Sequence, residues 1–249
     1  MLGDLERSFD VLAPILLGHF EGDRFPVGVA PGIEALADGA ERELDAAGWE
    51  TAHIAGNSLG GLLALELAQR GRARSVVALV PGGDRPGGKF GEKRIELIFT
   101  VTRAIARLLL SRADRLCASS LGRRLLLGWV CAHPERLNAA EGAHAMRALA
   151  QCPSYVDLKR AMPPAEARAL DRIRCPVLLA WGTKDRVLPF KRYGRPYREL
   201  LPFAEVRMLD DVGHVPMMDD PAGIAALIGD FSTRAATATI SPAAELGTP

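Results

Sequence analysis

Thr51-Ala52-His53-Ile54-Ala55-Gly56-Asn57-Ser58-Leu59-Gly60 is the stretch whose reading decides the fold. Its first five residues have the character of a short strand. Gly56 to Gly60 form a G-x-S-x-G signature, and Leu62, Leu63, Leu65, Glu66, Leu67 and Ala68 continue as a helix of strong formers that ends at Gly71. Strand, sharp turn carrying a serine, then helix is the setting of a nucleophile elbow, which pushes the serine oxygen out at the end of a sheet. Gly56 and Gly60 are expected to permit close backbone approach where a Cβ would clash. The helix behind Ser58 turns free N–H groups and a positive dipole end toward a developing oxyanion. A bare G-x-S-x-G is often an ordinary turn; the flanking elements favour the elbow.

The rest of the chain supplies an alternating pattern around this centre. Residues 9–17 form a continuous apolar run ended by Gly18, which predicts a strand covered on both faces. Residues 31–48 read as a helix with Pro31 near its start and Gly48 just past its end. Further strands are expected at 75–80, 176–181 and 204–209, and helices at about 190–201 and 221–231. Strands alternating with helices predict an α/β fold with a mostly parallel sheet.

Between about residues 84 and 170 the rhythm changes to helical periodicity with no convincing strand. Ile95, Ile98, Val101, Ile105, Leu108 and Leu109 recur at three- and four-residue steps. This predicts an all-helical insertion at 84–170 laid over a core of 1–83 and 171–231. Arg94, Arg103, Arg107, Arg112, Arg115, Arg123 and Arg124 are expected on its solvated face, with contact to an anionic substrate as the alternative. From residue 232 to 249 the composition is Ala, Thr, Ser, Pro and Gly, which predicts a disordered tail.

Composition narrows the function classes. Apolar residues make up 48% and charged residues 24%, as in an ordinary globular protein. A net charge of +1 gives no reason to expect nucleic acid as a partner. No uncharged apolar run reaches the roughly 18 residues of a membrane span. Cys117, Cys131, Cys152 and Cys175 lack metal-site spacing and read as free thiols, and neither metal nor cofactor is expected. Met1 to Arg7 carry no secretory pattern, so a cytoplasmic protein follows by default.

A serine nucleophile needs a base, and the base needs a partner that fixes its tautomer. His214 lies in a loop after the last expected strand, and Asp185 just past a strand end in Trp181-Gly182-Thr183-Lys184-Asp185. Catalytic groups gather at such carboxyl ends of parallel strands. The chain order Ser58, Asp185, His214 is the one expected of this fold. Taken singly, Asp185 could be a turn residue and His214 a surface histidine; their joint placement favours the triad. Asp210 and Asp211 look like solvated loop residues. His53 reads as a packed strand residue, and His133 and His144 as residues of the insertion with a possible substrate contact.

Gly56-Asn57-Ser58-Leu59-Gly60-Gly61, the stretch from Trp181 to Pro189, and Gly213-His214 together resemble the α/β-hydrolase superfamily. The resemblance covers about residues 9–83 and 172–231, with the helical stretch matching that family's variable cap. It implies ester-type hydrolysis without a cofactor: Ser58 as nucleophile, His214 as base, Asp185 as orienting acid and Leu59 N–H as an oxyanion donor. Because position 58 is Ser rather than Asp, likeness to the capped dehalogenases and epoxide hydrolases is expected to extend to fold only.

One departure stands out. Family members carry, ahead of the strand expected at 9–17, another strand ending in a His-Gly oxyanion loop that gives a second donor. Residues 1–8 contain neither, and Gly18-His19 resembles a later family loop. The expectation is an N-terminally truncated α/β-hydrolase, either a sequence begun downstream of its true start or a natural shortened relative. The leading function is a serine hydrolase of a small or medium ester, thioester or lactone. Alternatives are C–C bond hydrolysis, a cofactor-free haloperoxidase activity, and a non-catalytic relative that binds a ligand or partner. A small-molecule substrate is the expected partner; neither its identity nor the oligomeric state is readable.

Overall fold

The computed structural model describes residues 1–82, 88–154, 158 and 170–237, with side chains omitted over 88–93. Its centre is a four-stranded sheet, β1 (Ala52–Asn57), β2 (Ala73–Leu79), β3 (Val177–Gly182) and β4 (Glu205–Leu209), all parallel and adjacent in chain order. The inner strands alternate their side chains between two covered faces, which is why they read as unbroken apolar runs. Val76, Ala78, Leu179 and Trp181 face α3 (Leu59–Gln69) and the later helix α8 (Phe190–Leu200), meeting Ala64, Leu65, Tyr193 and Tyr197. Val77, Leu79, Leu178 and Ala180 face α10 (Pro221–Thr237) through Ile224, Leu227, Ile228 and Phe231. A one-turn α1 (Leu2–Leu5) packs Met1 and Leu5 on that same cluster.

The strand expected over residues 9–17 is not formed. That run is irregular, with Leu12 and Ile15 exposed and Leu16 and Leu17 packed on the cluster between α2 (Ile33–Ala46) and α3. Among the described residues β1 pairs only with β2, so the run has no ladder partner for its backbone, and Pro14 removes one donor outright. Apolar character alone therefore delivered neither the strand nor full burial: residues 12–15 are exposed and only Leu16 and Leu17 pack on a core cluster.

Between β2 and β3 the regular elements among the described residues are all helices, chiefly α4 (Gly88–Leu108), α5 (Ala113–Cys117), α6 (Ser120–Leu127) and α7 (Ala139–Gln151). The expected apolar stripe of α4 is rotated. Ile95 and Phe99 pack on the sheet cluster and Ala106 is buried, whereas Val101, Ile105 and Leu108 are exposed. The arginines expected to be solvated divide. Arg94, Arg107, Arg112, Arg115 and Arg124 are exposed and Arg103 and Arg123 half-buried, and three of the seven bind main-chain carbonyls. Arg94 donates to Arg186 O at 2.7 Å and Val187 O at 3.2 Å, Arg103 to Cys152 O at 2.9 Å, and Arg123 to Cys117 O at 2.7 Å. A guanidinium fork suits such work because its five donors are held in one plane.

Residues 232–237, expected to belong to a disordered tail, are helical. α10 runs on to Thr237 because Ser232 is buried, Arg234 pairs with Glu205 at 2.9 Å, and Ala235 and Ala236 favour helix. The remainder, 238–249, lies outside the described residues, as does part of the expected insertion.

Candidate active site

Ser58 stands at the carboxyl end of β1 with φ 52° and ψ −113°, a conformation that is strained for any residue with a Cβ. Three hydrogen bonds hold it there: Ser58 N to Leu79 O at 2.9 Å, Gly82 N to Ser58 O at 2.9 Å, and Leu62 N to Ser58 O at 3.0 Å. Gly56 makes the turn possible, since a Cβ on it would lie 2.1 Å from the Gly60 carbonyl oxygen. Gly60 is different. Its own Cβ would meet nothing within 4 Å, so its carbonyl matters to the turn and its missing side chain does not. Leu59 opens α3, where first-turn N–H groups have no intrahelical acceptor.

His214 Nε2 lies 3.1 Å from Ser58 Oγ, and His214 Nδ1 lies 2.9 Å from Asp185 Oδ2. The other oxygen, Asp185 Oδ1, accepts from Val187 N at 2.7 Å and Leu188 N at 2.8 Å. Its carboxylate is therefore occupied on both sides, and its side chain is fully buried while that of His214 is 3% exposed. An ionised carboxylate only accepts, so Nδ1 carries the proton and Nε2 is left to accept from Ser58. The three residues expected from chain order are thus brought together in one hydrogen-bonded line.

A family model described as "Alpha/beta hydrolase family" matches residues 2–227. The chain belongs to this family. It is 37% identical over 203 residues to a protein named epoxide hydrolase EphH from Mycobacterium tuberculosis, covering 79% of this chain and 92% of that one. It is 29% identical over 245 residues to a pimeloyl-[acyl-carrier protein] methyl ester esterase of Neisseria meningitidis, covering 91% and 69%. Among solved structures, a meta-cleavage product hydrolase from Pseudomonas fluorescens IP01 superposes with TM-score 0.67 at 21% identity, covering 94% of this chain and 83% of that one. This α/β-hydrolase is accordingly an enzyme of the hydrolase class.

Around the line of three, hydrogen bonds and close contacts involve residues that the sequence reading passed over. The Asn57 amide donates to His214 O at 2.9 Å and Leu79 O at 3.1 Å. Gly182 lets the loop that carries His214 cross the end of β3, since a Cβ there would lie 2.4 Å from both Val212 O and Gly213 O. Trp181 Nε1 donates to Leu188 O at 2.7 Å and fixes the loop that carries Asp185, which Arg94 grips from α4. Asp219 accepts from Gly213 N, Ala132 N and His133 N. Asn57 was the variable position of a motif and Asp219 one of two adjacent aspartates, so neither carried a sequence signal of its own.

The remaining candidates fall outside the line. His53 Nδ1 meets Ser75 Oγ at 2.8 Å, and burial, helped by the Arg74 charge, lowers its pKa. His144 stacks edge-on against Phe20. Asp210 is exposed as expected, but Asp211 is engaged: it pairs with Lys184 and, at 2.7 Å, with His133 Nε2. Those partners, Lys184 first, hold its carboxyl below the usual range. All four cysteines are free. Burial pushes Cys131 up to about 12 and Cys175 up to about 11. Among the described residues no three His, Cys, Asp or Glu side chains cluster as metal ligands would, and no helix is long and apolar enough to cross a membrane.

Proposed function

We propose that this hydrolase cleaves a small or medium ester or lactone-type acyl substrate through Ser58, His214 and Asp185. The observation that carries the reading is the continuous line from Asp185 Oδ2 through His214 to Ser58 Oγ, at 2.9 and 3.1 Å. Ser58 attacks the carbonyl carbon as its proton passes to His214 Nε2. Asp185 holds the imidazole in the tautomer that can receive it. Leu59 N–H, at the start of α3, donates to the oxyanion. His214 then returns the proton to the leaving alcohol, and water, deprotonated by the same nitrogen, releases the acyl group.

The name of the mycobacterial relative raises epoxide opening as a rival, and the chemistry of Ser58 argues against it here. Attack of a hydroxyl on an epoxide carbon leaves an ether on the enzyme. An ether has no carbonyl for water to attack, so turnover would stop after one event. An acyl group on Ser58 keeps its carbonyl.

The helices between β2 and β3 are read as the cap of a core made of 1–83 and 171–231, and the substrate as a small molecule admitted beneath them. Four free thiols suit a reducing, cytoplasmic setting. The test is a fluorophosphonate probe together with short p-nitrophenyl esters. Labelling of Ser58 and turnover that both vanish in Ser58→Ala and His214→Ala are expected. A folded protein that stays unlabelled and inert would instead favour the non-catalytic, ligand-binding alternative.

A further inference from the structure

Asp219 lies on α9 (Pro216–Asp219), five residues beyond His214, and is 5% exposed. Its carboxylate accepts three main-chain hydrogen bonds: Gly213 N at 2.7 Å and Ala132 N at 3.0 Å on Oδ2, and His133 N at 2.7 Å on Oδ1. A carboxylate withdrawn from water needs such donors in place of its hydration. The donors come from two separate segments. Gly213 belongs to the base loop, next to His214. Ala132 and His133 belong to the stretch between α6 and α7 in the helical region.

The same two segments touch at other points. Val215 N donates to Val130 O at 2.9 Å, so the residues on both sides of His214 are tied to 130–133, one directly and one through Asp219. The backbones are in close contact, since a Cβ on Gly213 would lie 2.9 Å from Ala132 N and from Cys131 Cα. Asp220, the next residue, serves a different end: its Oδ1 accepts from Gly223 N at 2.9 Å and caps α10.

Resting on the acyl-transfer reading above, we propose that Asp219 is a positioning residue for His214. It clamps the base loop to residues 130–133 so that Nε2 stays within reach of Ser58, and it makes the placement of the base depend on the seating of the helical region. Removing the clamp leaves Ser58, Asp185 and His214 chemically intact but lets the imidazole drift. A misplacement of about 1 Å can lower a rate by about 10²-fold.

The experiment compares Asp219→Asn, Asp219→Glu and Asp220→Asn in the full chain. Turnover of p-nitrophenyl butyrate, thermal unfolding, and the low-field proton resonance of His214 Nδ1–H are the readouts. Asp219→Asn is expected to lose kcat by about 10²-fold with KM changed less than about twofold, and to broaden or lose the His214 resonance. Asp219→Glu, which keeps the carboxylate, is expected to retain more of both and stands in if the Asn variant fails to fold. Asp220→Asn, which keeps the capping oxygen, is expected to hold its unfolding temperature closely while keeping kcat and the resonance. The proposal is overturned if Asp219→Asn, while folded, keeps kcat and the resonance, or if Asp220→Asn reproduces its losses. Should the wild-type protein neither label nor turn over, the acyl-transfer reading falls, and the resonance, which needs no turnover, still decides the role of Asp219.

Discussion

The side-chain amide of Asn57 donates to the main-chain carbonyl of His214 at 2.9 Å, joining the residue before Ser58 to His214. The same nitrogen reaches Leu79 O at 3.1 Å, at the end of β2. One amide therefore fixes the distance between β1, its neighbour β2 and the loop that carries His214. Asn57→Ala leaves two carbonyls without this donor and is expected to lower stability by about 1–3 kcal/mol. Ester turnover should fall by roughly tenfold or more, as a further 1.4 kcal/mol is a factor of ten in rate. Urea unfolding and steady-state kinetics check the two effects separately. Lost stability with unchanged kcat would show that the amide serves the fold alone.

The two glycines of the elbow should behave oppositely. A Cβ on Gly56 would sit 2.1 Å from Gly60 O and 2.3 Å from Gly60 C, both backbone atoms that cannot turn aside. Gly56→Ala is expected to destabilise by about 3 kcal/mol or more, or to give insoluble protein. Gly60 lies inside α3 with open space where its Cβ would point. Gly60→Ala should be neutral or stabilising by about 0.5–1 kcal/mol, the usual gain of Ala over Gly in a helix. Thermal unfolding of the two variants decides it, and equal loss in both would refute the assignment.

Asp185 serves His214 with one oxygen and two loop amides with the other, so its two replacements should separate catalysis from folding. Asp185→Asn keeps an acceptor oxygen for Val187 N and Leu188 N, and its NH2 faces His214 Nδ1. The imidazole is then driven to the wrong tautomer, and kcat should fall by about 10⁴-fold with the protein still folded. Asp185→Ala also strands two buried N–H groups, at about 1–3 kcal/mol each. Kinetics and denaturant midpoints on both variants provide the check. An Asn variant that retains most of its activity would remove Asp185 from the mechanism.

How much of this was legible in the sequence depended on whether the information was local. Strand, turn and helix around Ser58 are local, because each element announces itself by composition within a few residues. The order Ser58, Asp185, His214 was legible because the sheet is parallel and its strands lie in chain order, which brings successive strand ends to one edge. Residues 9–17 misled because apolar character alone does not make a strand, which also needs a neighbour to accept its backbone, and residues 12–15 of the run are left exposed. The rotated face of α4 misled for a related reason: several periodic stripes fit that sequence, and packing against the sheet chose Ile95 and Phe99. Asn57, Gly182 and Asp219 act across long separations, on His214, Gly213 and Ala132, and nothing in their own surroundings marks them.

His53 offers a test of pH dependence that does not involve the active site. Its pKa is lowered, first by burial and then by the Arg74 charge, while its Nδ1 meets Ser75 Oγ at 2.8 Å. The ordinary imidazole value, about 6.5, applies in the unfolded chain. The unfolded state therefore binds this proton more readily than the folded one. The contribution of neutral His53 to stability is complete above about pH 6.5 and is lost as pH falls toward its folded value. His53→Asn removes the titration, and its stability should fall less than that of the wild type between pH 8 and pH 5.5. The difference between the two slopes cancels the other histidines, which both proteins share. Urea midpoints at the two pH values give that difference directly, and parallel slopes would show that His53 does not titrate on folding.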